Sequence, residues 1–515
     1  MANASSKTKK PKKNAFHRVS HAHEPRSRFL KRVSTYTFFA ILTVILSVLV
    51  FYRAKGYTFT KSGEVEKRGI VLINSAPVSS RISIDGRDIG KRTDYKLEVS
   101  EGSHSLKLEA DGYRTWQTNF TIRSEQVEWF YYPYLIPDEI NQETIQSGLA
   151  PKTYSSLSSD NEVVAVSKSG TGRNQAFNLE LFQLKDTNPT TTAKQIVIPS
   201  QLFSRQEDGA LGTATFGNWS PNGDSIFLEH TYSGKKEIIN LRVNAPEESK
   251  NISGISESAI ADYEYDDSSR LHLLNSGELA VYDPKTLKKE TVVDTSVLSF
   301  DVFQDSKHVF TKASGSVDDP SLDIMIKDGQ NEPKKVTNLK GASAQDLDFQ
   351  YTTNRRTNYL SISNQAQKEL LIYKNPLEGV GALEPLFLST FSTLQTKQIQ
   401  QSPPGSTQPG SYIVLQLSPS SIFVYNFESE KSISYDLGVT VPEINITGLS
   451  WIDSERLQAR TNEGKIYYLD YDGNYTNLIT NTDQPFSLFV RGGDKTIVIN
   501  SVEGKQSISQ IKFKE

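Results

Sequence analysis

Tyr265-Asp-Asp-Ser-Ser-Arg-Leu271 and Trp451-Ile-Asp-Ser-Glu-Arg-Leu457 carry one pattern twice: an aromatic, an Asp-Ser turn, then Arg-Leu opening a strand. Phe303-Gln-Asp-Ser-Lys-His-Val309 is a third copy, and Trp219-Ser-Pro-Asn-Gly-Asp-Ser-Ile226 and Phe489-Val-Arg-Gly-Gly-Asp494 have fuller turns. Leu157-Ser-Ser-Asp-Asn-Glu-Val163 and a degenerate copy at Phe349 extend the series. The strand pair beyond the turn repeats as well. Asn275-Ser-Gly277-Glu-Leu-Ala-Val-Tyr-Asp283 parallels Asn462-Glu-Gly464-Lys-Ile-Tyr-Tyr-Leu-Asp470, each an Asn-x-Gly turn between two strands with an Asp ending the second.

Anchors at 157, 219, 265, 303, 349, 451 and 489 are 62, 46, 38, 46, 102 and 38 residues apart. The 102 is twice the unit, so one copy has decayed near residue 400, around the loop from Ser402-Pro-Pro-Gly405 to Pro409-Gly410. Short strands repeating every 38–50 residues mark a β-propeller. Seven anchors and one lost copy predict seven or eight blades over 151–515, closed into a ring that covers its edges.

Upstream the chain changes character. Residues 1–32 hold ten Lys/Arg against Glu24 alone, a charge of +9, and predict a basic disordered tail. Val33 to Tyr52 has no charge, Gly or Pro, and as a helix spans about 30 Å, the thickness of a hydrocarbon core. Basic residues flank both ends, and Tyr36, Phe51 and Tyr52 sit where aromatic rings favour the interface. The tail is expected to stay in the cytoplasm and the rest to cross, giving a single-pass anchor. A cleaved signal peptide fits less well: the tail is long, and Arg53 and Lys55 occupy the place of a clean cleavage site. Residues 53–515 carry 47 basic against 59 acidic side chains, a charge of −12, which excludes a bulk-basic nucleic-acid binder.

After a linker over 53–68, residues 69–125 alternate with period two. Ile70 and Leu72, Ile82 and Ile84, Leu97 and Val99, Leu106 and Leu108, and Phe120 and Ile122 are each separated by one residue. Asp85-Gly86, Glu101-Gly102 and Asp111-Gly112 punctuate them, so the stretch reads as a meander of about five short strands, a small sandwich or open barrel. Ser75-Ala-Pro77, Ile82-Ser-Ile84-Asp85-Gly86, Gly90, Glu101-Gly102-Ser103-His104 and Gly112-Tyr113 resemble the PEGA domain in order and spacing. Ser100 and Ser103 replace the proline and alanine of its naming motif, and Arg92-Thr93-Asp94 stands where Thr-Pro often follows the middle glycine. The resemblance implies an extracytoplasmic β module of cell-surface proteins, usually without enzymatic activity. Trp219-Ser-Pro-Asn-Gly-Asp224 resembles the WD40-like repeat of TolB-type and prolyl-oligopeptidase propellers, with Asn222 for the usual Asp. The whole order, with a connector at 126–150, resembles membrane-anchored PEGA proteins of small-genome bacteria.

Chemistry is harder to place. Without cysteine there are no disulfides, no cysteine-held metal or cluster and no thiol nucleophile. Propeller peptidases carry a Gly-x-Ser-x-Gly elbow on a separate hydrolase domain, and none is present. Gly86-Arg-Asp-Ile-Gly90-Lys91 has one residue too few for a phosphate loop and lies between strands. His17, His21 and His23 fall in the tail; His104, His230, His272 and His308 are scattered, without metal-ligand spacing. Asp470-Tyr-Asp472-Gly473-Asn474 is a turn before it is a calcium loop. The clusters Asp262, Glu264, Asp266, Asp267 and Asp318, Asp319, Asp323 read as solvated loops, and Tyr467, Tyr468 and Tyr471 as strand packing or a binding rim. No catalytic, cofactor-binding or metal residue is therefore assigned. The expectation is a non-enzymatic cell-surface binding or scaffold protein. Its propeller would face envelope glycan or a partner protein, and nucleic acid is not expected on the ectodomain. The alternative is an envelope hydrolase using carboxylates in the propeller channel.

Overall fold

The computed structural model describes residues 26–54, 57–59, 65–149, 153–157, 162–183, 194–255, 258–378, 383–403, 410–482, 487–489, 495–502 and 505–512. The tail to residue 25 with its three histidines, 158–161 of the Leu157 copy, 490–494 of the Phe489 copy, and 404–409 of the Pro/Gly loop lie outside them.

One helix, Arg26–Ala54, contains the segment Leu30–Arg53, 24 residues long and apolar enough to cross a membrane. Its side chains from Leu30 to Arg53 are exposed. The hydroxyls of Thr35 and Thr43 donate to the carbonyls of Lys31 and Phe39, which satisfies them within the helix, as a bilayer requires.

Among the described residues the remainder is mainly β structure, in ten four-stranded sheets. Two belong to the stretch before residue 131. In one, Val65–Ile73 lies between Tyr57–Phe59 and Tyr95–Ser100 on antiparallel registers, and also pairs in parallel with Val127–Phe130. The other runs Arg87–Arg92, Arg81–Ile84, Gly102–Glu109, Trp116–Ile122. The chain thus alternates between sheets instead of meandering, and the parallel partner falls in the expected connector. Asp85 and Gly86 take φ of 50° and 75°, the two positive angles of a two-residue hairpin, so the phosphate-loop-like segment is strand, turn and strand. The alternation holds for Ile82, Val99, Leu106, Leu108 and Ile122, which are buried. It is out of step in Val65–Ile73, where Val71 and Ile73 are fully buried and Ile70 and Leu72 only partly. That strand is hydrogen-bonded on both sides and apolar at four successive positions, so its composition does not mark the inner face.

The other eight sheets are the blades of a propeller: 153–197, 213–251, 260–294, 297–340, 347–390, 400–436, 446–481 and a composite eighth. In each of the first seven the strands pair in chain order. First strands approach one another from blade to blade, which places them around the axis. The core lies between blades. Leu274, Leu279, Val297 and Phe310 pack across blades three and four; Tyr412, Val414, Leu457 and Leu469 do so across six and seven.

Leu157, Trp219, Tyr265, Phe303, Trp451 and Phe489 each end the first strand of a blade. Phe349 does not. It sits within Leu347–Asn354 as a buried core residue, and the turn comes later, at Arg355 with φ 56°. The decayed copy near 400 is blade six, whose first strand is only Gln400–Gln401. Blade eight takes Ser487–Phe489, Lys495–Val502 and Lys505–Lys512 from the C-terminal end and Asn141–Leu149 from before blade one. The expected connector therefore also supplies the strand that closes the ring and covers the last edge.

Candidate functional site

The scattered histidines are built into the blades. His230 is fully buried in blade two; its Nδ1–H donates to Glu237 (2.7 Å) and its Nε2 accepts from the Gly212 N–H (3.0 Å). Burial pushes Glu237 up, but hydrogen bonds from His230 and Ser204 outweigh it and hold the carboxyl below its usual range. In blade three Asp266 accepts from the Arg270 backbone and side chain (both 2.8 Å) and from His272 Nε2–H (3.2 Å). These bonds overcome desolvation and keep Asp266 well below an ordinary carboxylate. With Nε2 protonated, His272 Nδ1 accepts from His308 Nε2–H of blade four (3.0 Å). Burial and then His272 push His308 down to about 3, so it is neutral. A cavity of about 280 Å³ opens here, lined among others by Arg270, His308 and Lys327. His104 is half-buried, its Nε2 2.8 Å from the Ser100 carbonyl.

The first acidic cluster is not one solvated loop. Asp267 is exposed, Asp266 is buried in the network above, and Asp262 and Glu264 lie on the first strand of blade three, Ile260–Tyr265. Alternation aims both at the channel, because Tyr263 and Tyr265 pack on Phe227 from the other face. Asp301 and Asp348 join them from the first strands of blades four and five. Burial, then Asp262 and Asp348, push Glu264 up to about 8; burial alone moves Asp348 up to about 6. Asp301 is raised by burial and then by Glu264 and Asp348. Two of these carboxyls bridge to the next blade: the Val302 N–H donates to Glu264 (2.8 Å) and the Ile399 N–H to Asp348 (2.7 Å). Of the second cluster, Asp318 and Asp319 are exposed and Asp323 pairs with Lys335 (2.6 Å).

The Asp470–Asn474 turn has a use that its sequence does not announce. Asp470 is fully buried and accepts from the indole N–H of Trp116, itself fully buried, at 2.6 Å. Asp472 accepts from the Tyr132 hydroxyl (2.9 Å), the Tyr475 hydroxyl accepts from the Ile136 N–H (3.0 Å), and Arg114 donates to the Leu478 carbonyl (2.9 Å). Residues 74–94, 105–119 and 131–515 form one compact unit, and these bonds seam its earlier strands onto blade seven. Tyr467 and Tyr468 are buried packing, as one of their two readings has it. Among the described residues no group of three His, Asp or Glu side chains is placed to hold a metal.

The seam borders a cavity of about 310 Å³ between Asn74, Ser75, Asp94, the Tyr131–Tyr134 segment, Glu455 and Arg456. Arg456 lies over the Tyr134 ring (4.7 Å), donates to the Tyr468 hydroxyl (3.2 Å) and pairs with Asp453. Tyr131 is 42% exposed. Sequence reasoning missed this place. Its signals were the clustered aromatics of 131–134 and Trp116, one of only four tryptophans.

A small β module and an eight-bladed propeller are thus the class that the sheets define. Residues 68–134 match the PEGA domain, which gives the module its family. Among curated proteins none matches the chain. Solved structures similar in fold include an oligogalacturonate lyase in complex with manganese, at 11% identity and a TM-score of 0.36, covering 73% of this chain and 98% of the other. A eukaryotic initiation factor structure stands at 10% and 0.42 (74% and 90% covered), and the WD40 repeats of RRP9 at 10% and 0.35 (58% and 93%). These are likenesses of fold.

Proposed function

We propose that this chain is a single-pass membrane protein that binds envelope glycan, or failing that a surface protein, without chemistry of its own. The basic tail stays in the cytoplasm, the helix crosses, and the PEGA module and propeller stand outside. The +9 tail supports this orientation through the preference of Lys and Arg for the cytoplasmic side. The observation that carries the scaffold reading is the seam. A buried Trp116–Asp470 bond with three further bonds around it fixes strands of the earlier module to blade seven, as suits a surface presented in one orientation. His272 with His308 and the channel carboxyls Glu264 and Asp348 already hold blade to blade, which favours a structural use for them.

A hydrolase is the second reading, and one observation favours it: Glu264 keeps its proton to about pH 8 beside Asp348, which titrates near 6. Acid–base pairs are made this way. Co-sedimentation of the full-length chain with purified cell-wall glycan, with released sugars and peptides assayed in the supernatant, separates the two. Retention without release is the expected result. Release that Glu264→Gln abolishes would make the protein a hydrolase, and absence of retention would replace glycan by a protein partner.

A further inference from the structure

The cavity beside the seam has the composition of a sugar site. Tyr131 offers an exposed ring, and a pyranose stacks its C–H face on such a surface. Around it stand groups with unspent hydrogen-bonding capacity. Asn74 and Asp94 are exposed and make no side-chain hydrogen bond among the described residues; Glu455 spends one oxygen on the Ser454 hydroxyl and keeps the other. An amide that both donates and accepts, between two carboxyls that accept, matches hydroxyls, which do both. The volume, about 310 Å³, lies at the small end of the roughly 300–1,000 Å³ of ligand sites, enough for one ring and little more.

Charge narrows the class. Arg456 is neutralised by Asp453 and burial pushes the Glu455 carboxyl up, so the exposed Asp94 is what leaves the wall acidic and repels a uronate or a phosphate. We propose that this cavity binds one neutral pyranose residue of a glycan, stacked on Tyr131 and hydrogen-bonded by Asn74, Asp94 and Glu455. The proposal rests on the glycan reading above and gives it an address. The site needs Asn74 and Asp94 from the PEGA region, the segment after it, and blade seven together, so it exists only in the seamed chain.

The test is titration of the full-length chain, in a detergent without a sugar headgroup, with methyl glucoside, N-acetylglucosamine and glucuronate, read by calorimetry and saturation-transfer NMR. The two neutral sugars are expected to bind and glucuronate to bind more weakly. Tyr131→Ala should weaken binding by about tenfold or more, Asp94→Asn by less, and Tyr131→Phe should bind as the natural chain does. Tyr131 is 42% exposed, so a cooperative melt of Tyr131→Ala is the check that the fold is intact, and Asp94→Asn, at an exposed side chain, tests the same site without removing the ring. Undiminished binding by Tyr131→Ala, or no binding of either neutral sugar, overturns the site. If Tyr131→Ala still sediments with wall glycan as well as the natural chain does, this site falls while the glycan reading stands. If the natural chain neither sediments nor binds sugar, both fall.

Discussion

Blades three and seven are built from the same repeat and spend its polar residues in different ways. In both, the motif arginine pairs with an acid of its own turn: Arg270 with Asp266, Arg456 with Asp453. From there they diverge. Blade three turns towards its neighbour in the ring, through Asp266, His272 and His308. Blade seven turns out of the ring, its Arg456 over Tyr134 and its Asp470 under Trp116. Two acids buried in the same fold are therefore pushed in opposite directions. Asp266 is held ionised by His272 and Arg270, whereas burial and then Asp472 push Asp470 well above an ordinary carboxylate. On the channel side blade three presents Asp262 and Glu264 where blade seven has Gly448 and Ser450. A repeat sets strand, turn and strand; what each blade faces sets its charges.

The sharpest way to break this comparison uses the glycine of the shared Asn-x-Gly turn. A Cβ at Gly464 would collide with the Thr482 carbonyl, while at Gly277 the nearest atom is 3.7 Å away and only the positive φ of 81° is strained. Gly464→Ala should cost about 3 kcal/mol or more and Gly277→Ala about 1 kcal/mol, read from thermal and urea unfolding of the detergent-solubilised chain. Equal losses would show that the two turns are equivalent after all.

Next comes the pair of acids. Asp266→Asn removes an ionised partner from Arg270 and His272 and should cost about 2 kcal/mol. Asp470→Asn keeps an oxygen that accepts from Trp116 and removes a carboxyl that burial disfavours as an ion, and should cost under about 1 kcal/mol. A larger loss at Asp470 than at Asp266 would reverse the order of the two acids.

The smallest effect is a slope. Glu264 normally titrates near 4.5 and in the folded chain near 8. Between those values the folded state keeps a proton that the unfolded state releases, so stability is greatest below 4.5 and is lost as the pH rises towards 8. Glu264→Gln should flatten that decline by about 1 kcal/mol per pH unit, leaving the parts due to Asp301 and Asp348. An unchanged slope would mean that Glu264 is ionised in the channel like any surface acid.

The repeat was legible because an aromatic before a tight turn ends the inner strand in most of the blades. It was not legible where that logic fails. Phe349 is aromatic for packing and not for turning, and Gln400–Gln401 is too short to carry a pattern. The closing strand Asn141–Leu149 is polar at most positions and meets Lys505–Lys512 only because the ring closes, so no local signal reveals it. The candidate sugar site was invisible for the same reason. Tyr131, Asp94 and Glu455 are ordinary residues in their own neighbourhoods, and only the fold brings them to one cavity. The acids of blade three were misread because spacing shows that they are close in sequence, while alternation sends Glu264 to the channel and the turn buries Asp266.

The most direct test of the account is which side of the membrane carries the head. With epitope tags at both ends of the full-length chain, protease added to intact cells should remove the C-terminal tag and spare the N-terminal one until the membrane is opened. Protection of the C-terminal tag in intact cells would place the PEGA module and propeller in the cytoplasm and contradict an envelope-binding function.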